Sequence, residues 1–208
     1  MATTVPTSML KQVASIAPAL AAAGDVNKVL QLDANGLVPA AYITDIGAAN
    51  VASHQWRYTT AAFATGTSDV FIDTHDGWEQ VDTTTQAING DPMTVTEGVF
   101  TFPSTGTWLV RFTGKVVRNS SDVSAIAFDL IATSGSGGTT DNHVAQGSTS
   151  VSTTATNSSV SVESLVDVTA TADVKVKIRC GAHSSGADVQ GHTAFNRTYF
   201  TFLRVGPT

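Results

Sequence analysis

A chain of 208 residues, 42% of them hydrophobic and only 13% charged, holds one sizeable core plus a small appendage and has about half the usual share of charge. With Thr, Ser, Gly and Ala abundant, this composition suits an all-β, hydrogen-bonded protein better than a helical enzyme. The net charge of −6, without any Lys/Arg cluster, excludes non-specific nucleic-acid binding. The single cysteine, Cys180, rules out a disulfide framework within the chain. It follows Val174, Val176 and Ile178 in alternation, which makes it a core thiol rather than a reactive one. The first 20 residues have neither a basic leader nor an apolar run long enough for a signal peptide or a membrane span. The expectation is a protein made and folded in a cytosol, with no membrane partner.

Residues 1–8 read as an extended arm. Met9, Leu10, Val13, Ile16 and Ala17 share one helical face, with Thr7 or Ser8 available as N-cap and Pro18 ending the segment. So short a helix is marginal alone and needs a partner to cover that face. In residues 26–46 a short strand carrying Leu30 and Leu32 leads into the turn Asp33-Ala34-Asn35-Gly36, then an extended piece with Val38 and Pro39. Asn-Gly is a tight-turn signal because both residues tolerate positive φ. Asp33 and Asn35 do not open a calcium loop, since the remaining ligands and the terminal glutamate are missing. A small-residue linker at 47–54 separates this arm, residues 1–52, from a β domain at 53–208.

The β domain is organised around residues 95–117. Phe100 and Phe102, a Pro103-Ser104-Thr105-Gly106 turn, then Trp108, Val110 and Phe112 read as a hairpin, with Thr107, Leu109 and Arg111 on the other face. Around it, residues 55–63 and 68–73 read as strands, and residues 73–82 as a polar turn plus a short strand. Residues 123–133 set Ile126, Phe128 and Leu130 against Ala125, Ala127 and Asp129. A flexible Gly-rich loop at 134–142 precedes an exposed strand at 144–154. Val160, Val162 and the Leu165-Val166 pair mark a strand at 159–168. Lys175, Lys177 and Arg179 face away from Val174, Val176 and Ile178. The last strand, 198–205, is apolar on both faces, which predicts a central or interface strand. The whole is mainly β, a sandwich of about ten antiparallel strands with regularly spaced turns.

Two resemblances sharpen this reading. The strand, Asp33-x-Asn35-Gly36, Val38-Pro39-x-x-Tyr42 pattern resembles a motif of bacteriophage fibre and head-appendage proteins, which implies slender intertwined trimers with cores between chains. The pattern Gly98-x-Phe100-x-x-Pro103-x-x-Gly106-x-Trp108 resembles the core of the globular heads shared by complement-type and tumour-necrosis-factor-type proteins. Residues 159–178 and 193–205 are similar to that family's later strand pair and closing strand, with Thr198 and Tyr199 in place of its usual small residues. The resemblance spans residues 55–206 and implies a jelly roll that assembles as a trimer.

Chemistry is sparse. The run 134–138 lacks the strand-to-helix context of a nucleophile elbow, and the five histidines show none of the spacings of metal sites. Asp73, His75 and Asp76 could form a divalent-ion corner or a solvated turn. His183 and His192 could meet at a trimer apex or simply line a loop. Trp56, Tyr58 and Trp78 could be core or carbohydrate-stacking platforms. The expectation is no enzyme, with no catalytic residue, metal or cofactor. Instead the sequence predicts a trimeric virion-surface protein. A capsid decoration protein would attach to the major capsid protein through Met9, Leu10, Val13, Ile16, Leu30 and Leu32. A receptor-binding tail fibre would bind tail proteins and a host glycan, with loops 134–142 and 183–192 as binding elements. The expected trimer interface is Val38, Tyr42, Tyr199, Phe200 and Phe202.

Overall fold

The large apolar side chains between residues 95 and 117 pack face to face rather than side by side, and that choice sets the architecture. The computed structural model describes residues 52–64, 70–72, 77–81, 88–181 and 186–208, all within the unit Asn50–Thr208. The expected helix, turn motif and linker of the arm lie outside them. Among the described residues the strands are β1 (Ser53–Tyr58), β2 (Phe63–Ala64), β3 (Val70–Phe71), β4 (Trp78–Gln80), β5 (Thr94–Thr96), β6 (Val99–Thr101), β7 (Gly106–Arg118), β8 (Val123–Ser134), β9 (Thr140–Val151), β10 (Asn157–Val168), β11 (Lys175–Cys180), β12 (Ala187–Val189) and β13 (Tyr199–Gly206).

They form two antiparallel sheets. In the first, β4, β1, β13 and β7 lie side by side, β10 takes the other edge of β7, and β12 pairs with the C-terminal residues of β7 and carries β2 on its far side. In the second, the order is β5-β6-β11-β8-β9, with β3 beside β11. Among the described strands the chain changes sheet after β2, β3, β4, β6, β7, β9, β10 and β11, so most neighbours in sequence face one another across the core. This is a jelly-roll β-sandwich.

The expected hairpin at residues 100–112 is therefore a crossover. β6 pairs with β5 and β11, whereas β7 pairs with β10, β12 and β13. Pro103 ends the first strand. Gly106, at φ 139°, then carries the chain into the other sheet, and a Cβ there would meet the Gly206 carbonyl oxygen at 2.6 Å. The tight turn instead joins β5 to β6 at Glu97 and Gly98, whose φ values of 49° and 70° suit a type I′ hairpin.

Alternation on β7 holds as read: Trp108, Val110, Phe112 and Val116 are buried, while Arg111 is exposed. Phe200 and Phe202 of β13 join them from the same sheet. From the opposite sheet come Phe100, Ile126, Phe128, Leu130, Val176, Ile178 and Cys180. Phe100 is the hub of the ring cluster, with Trp56, Trp78, Phe200 and Phe202 at centroid distances of 4.9 to 5.7 Å. Trp56 and Trp78 are thus core rings rather than sugar platforms, and the Trp78 Nε1–H donates to the Ile72 carbonyl at 2.9 Å.

Where the segment before β13 returns along β1, backbone meets backbone. The Gly191 N–H donates to the Thr60 carbonyl and the His192 N–H to the Tyr58 carbonyl, each at 2.8 Å. A Cβ on Gly191 would lie 2.3 Å from the Tyr58 oxygen and 2.5 Å from the Thr60 oxygen. Neither can move without loosening those bonds. Gly191→Ala should therefore destabilise the domain by about 1–3 kcal/mol, as overpacking does, read as a lower denaturant midpoint at unchanged slope.

Candidate assembly face

Because β-strand side chains alternate, the sheet that buries Trp108, Phe112, Phe200 and Phe202 must present the intervening residues of the same strands on its outer face. The registers align these across strands. Leu165 of β10 is opposite Leu109 of β7, which is opposite Leu203 of β13. Val205 follows on β13. Leu165 is 62% and Val205 51% exposed. The next row is Glu163, Arg111, Thr201 and Gln55, and the one after is Ser161, Thr113, Tyr199 and Arg57.

Polar contacts fix these rows. The Arg111 Nε–H donates to Glu163 Oε2 at 2.7 Å. The Thr113 and Ser161 hydroxyls are 2.9 Å apart. Arg111, Thr113, Ser161, Glu163 and Tyr199 line a shallow depression beside the leucine row. Both partners of the Arg111–Glu163 pair are half exposed, so the pair adds little to monomer stability. A partner surface covering it would gain a fixed charge register. An apolar row next to an ordered ion pair is suited to another protein surface, not to a small substrate.

Of the expected interface residues, Tyr199 lies on this face. Phe200 and Phe202 do not: they are fully buried in the sandwich core, because they share the inward phase of β13 with Val110 and Phe112 across the register. Val38, Tyr42, Met9, Leu10, Val13, Ile16, Leu30 and Leu32 lie outside the described residues, as do Asp73, His75, Asp76 and His183. His54 is buried against Trp108. His143 is beside Asp129 on the outer face of the other sheet. His192 stacks on Phe195 at 3.8 Å. Among the described residues no group of three or more His, Cys, Asp or Glu could hold a metal ion.

The 134–142 loop is shorter and better tied than expected. Residues 140–142 already belong to β9. Gly135, Gly137 and Gly138 turn at φ of 75–76°. The Gly137 N–H donates to Asp173 Oδ1 at 2.8 Å, and the Thr133 hydroxyl donates to the Asp173 carbonyl at 2.7 Å. The turn is thereby docked on the β10–β11 connection.

Sequence reasoning missed the row Leu109, Leu165, Leu203 and Val205. Its signal was present for Leu109, Leu165 and Leu203, each an aliphatic residue in the outward phase of its strand, whereas Val205 sits at a bulge.

These features define a class, a jelly-roll sandwich with an apolar row on one outer sheet face. No protein-family model and no curated protein matches the chain by sequence. Among solved structures the fold is similar to murine APRIL, with a TM-score of 0.51 at 7% identity over 74% of this chain and 99% of that one. A second murine APRIL structure gives 0.50 at 8% with the same coverage. Eiger TNF from S. frugiperda gives 0.50 at 15% over 76% of this chain and 95% of that one. At such identities the likeness is one of fold.

Proposed function

We propose that the chain is a homotrimeric structural protein of a bacteriophage virion surface, a capsid decoration protein whose residues 1–52 attach to the major capsid protein and whose jelly roll projects outward. The observation that carries the trimer is the Leu165–Leu109–Leu203 row with Val205 on the outer face of the first sheet. One sandwich core has no use for it, and three copies arranged around a threefold axis would remove it from water. The virion assignment rests on the resemblance of residues 29–42 to fibre and head-appendage proteins and on the helical apolar pattern of Met9, Leu10, Val13 and Ile16 in the sequence. A second reading, a receptor-binding fibre tip recognising a host glycan, is favoured by Phe195, which is 50% exposed on the turn before β13 and flanked by His192 and Arg197.

Sedimentation equilibrium tests the trimer. The full chain should be trimeric at micromolar concentration, and Leu165→Asp should shift it toward monomer while leaving the far-UV circular dichroism unchanged. A monomeric wild type would overturn the reading. For attachment, full-length protein and a 52–208 fragment are added to particles lacking the protein. Only the full chain should co-sediment; equal binding of the fragment would move attachment to the jelly roll. Binding in a glycan array without particle binding would favour the fibre reading.

A further inference from the structure

We propose that His54 is an acid-sensitive latch that holds the start of β1 on the sandwich at neutral pH and releases it when the imidazole takes up a proton. His54 is 1% exposed and faces inward. It lies opposite Phe202 in the β1–β13 register. Its ring stacks on Trp108 with centroids 6.2 Å apart and planes at 27°. Neither ring nitrogen has a hydrogen-bond partner. A neutral imidazole already buries one donor and one acceptor there without compensation. An imidazolium would bury two donors and a full charge, which is far more costly.

The surrounding charges do not reverse this. Asp91, from the segment before β5, attracts a proton to His54, but burial dominates and holds the ring below the ordinary value of 6.5. From β13, Arg204 lies opposite Trp108 in the register. Its Nε–H donates to the Thr105 carbonyl at 3.0 Å. From β7 the contact is Trp108, which carries no charge.

The element that would move is thinly held at this point. Ser53 and Asn89 exchange two backbone bonds of 3.0 and 3.1 Å, and the Arg204 N–H donates to the Ala52 carbonyl at 2.8 Å. The β4 partner begins only at Trp56. Besides β13, the backbone of residues 53–55 is therefore held by that isolated bridge and by the Val81 N–H donating to the Gln55 carbonyl at 2.9 Å. An opened β1 exposes His54 to water, where it titrates near its ordinary value. Below that value the open form binds the proton and the closed form does not. Opening then rises by at most about tenfold per pH unit until the closed form also protonates. At pH above 6.5 the two forms bind protons equally and the latch is shut.

The test is amide hydrogen exchange of the full chain at pH 7.5 and 5.0, corrected for the intrinsic pH dependence of exchange. The wild type should lose protection selectively in peptides covering 53–58 and 199–206, by up to about 30-fold, while peptides from 123–151 keep theirs. His54→Phe should abolish the selective loss. Persistence of that loss in the variant, or its absence in the wild type, would overturn the proposal. Should His54→Phe fail to fold, the wild type still decides by NMR: the His54 ring must show a depressed pKa in the closed form, and a normal titration with β1 intact refutes the latch.

Discussion

Trp108→Ala should remove most or all of the stability of the β domain. The side chain is fully buried, with Phe102 at 5.2 Å and His54 at 6.2 Å between ring centroids. Its Nε1–H donates to the Ser104 carbonyl at 3.3 Å, pinning the crossover from β6 to β7. Truncating a buried Trp to Ala costs about 3–5 kcal/mol, set against the roughly 5–15 kcal/mol that separates a folded domain from its unfolded chain. Loss of the indole also empties the space against which His54 rests. Chemical denaturation followed by far-UV circular dichroism is the measurement. The expected outcome is a strongly lowered midpoint or an insoluble protein; an unchanged midpoint would mean that the ring does not fill the core. Leu165→Asp is the contrasting control, because Leu165 lies on the outer face and its loss should alter association without altering the fold.

The inward phase of the long strands was legible in the sequence. Half-buried antiparallel strands write their burial into alternate residues, and Trp108, Val110 and Phe112, then Ile126, Phe128 and Leu130, then Val176, Ile178 and Cys180 all fall inward as read. Pairing was not legible. Alternation tells which way a side chain points, but strands that neighbour in a sheet and strands that face across a core carry the same pattern. Phe100 and Trp108 therefore read as sheet-mates when they belong to opposite sheets. The strands β2, β3, β4 and β12, of two or three residues each, are too short to show any period.

The assembly face was half legible for a related reason. β13 was read as apolar on both faces, central or at an interface, and it does run between β1 and β7. Phe200 and Phe202 are among the largest residues of β13, but they occupy its inward phase. Strand parity places Tyr199 and Leu203 outside, Val205 is exposed as the extra residue of a bulge, and the cross-strand partner Leu109 is concealed between Thr107 and Arg111. A row across three strands exists only once the registers are known.

Parity also misleads at Asp129, and the second large effect follows from it. Asp129 is in the outward phase of β8, where a carboxylate should meet water, yet it is only 2% exposed. Its neighbours cover it. Oδ2 accepts from Arg179 Nε at 3.0 Å and from Nη2 at 2.6 Å, while Oδ1 accepts from Gln146 Nε2 at 2.5 Å. His143 Nδ1 is 3.9 Å from Oδ2. Burial pushes this carboxyl up, but the hydrogen bonds from Arg179 and Gln146 and the guanidinium charge outweigh it, leaving the group below its ordinary 3.8. The unfolded chain thus binds the proton first as pH falls. The stabilisation is fully present above pH 3.8 and is lost on acidification through the lower folded value. Asp129→Asn should destabilise the domain at neutral pH by about 3 kcal/mol, the low end for breaking a buried pair, since the Arg179 side chain is 25% exposed and water can partly solvate it. It should also erase this component of acid denaturation, while the His54 component, which begins at pH 6.5, remains. Replacing Asp129 and Arg179 together by leucine should recover much of the loss, because no charge is then left without its counter-ion. Denaturation of the wild type and these two variants at pH 7 and pH 3 measures both effects. A single-variant effect within about 0.5 kcal/mol, the range of ordinary surface substitutions, would show that the Asp129–Arg179 pair contributes no more than an exposed pair such as Arg111–Glu163.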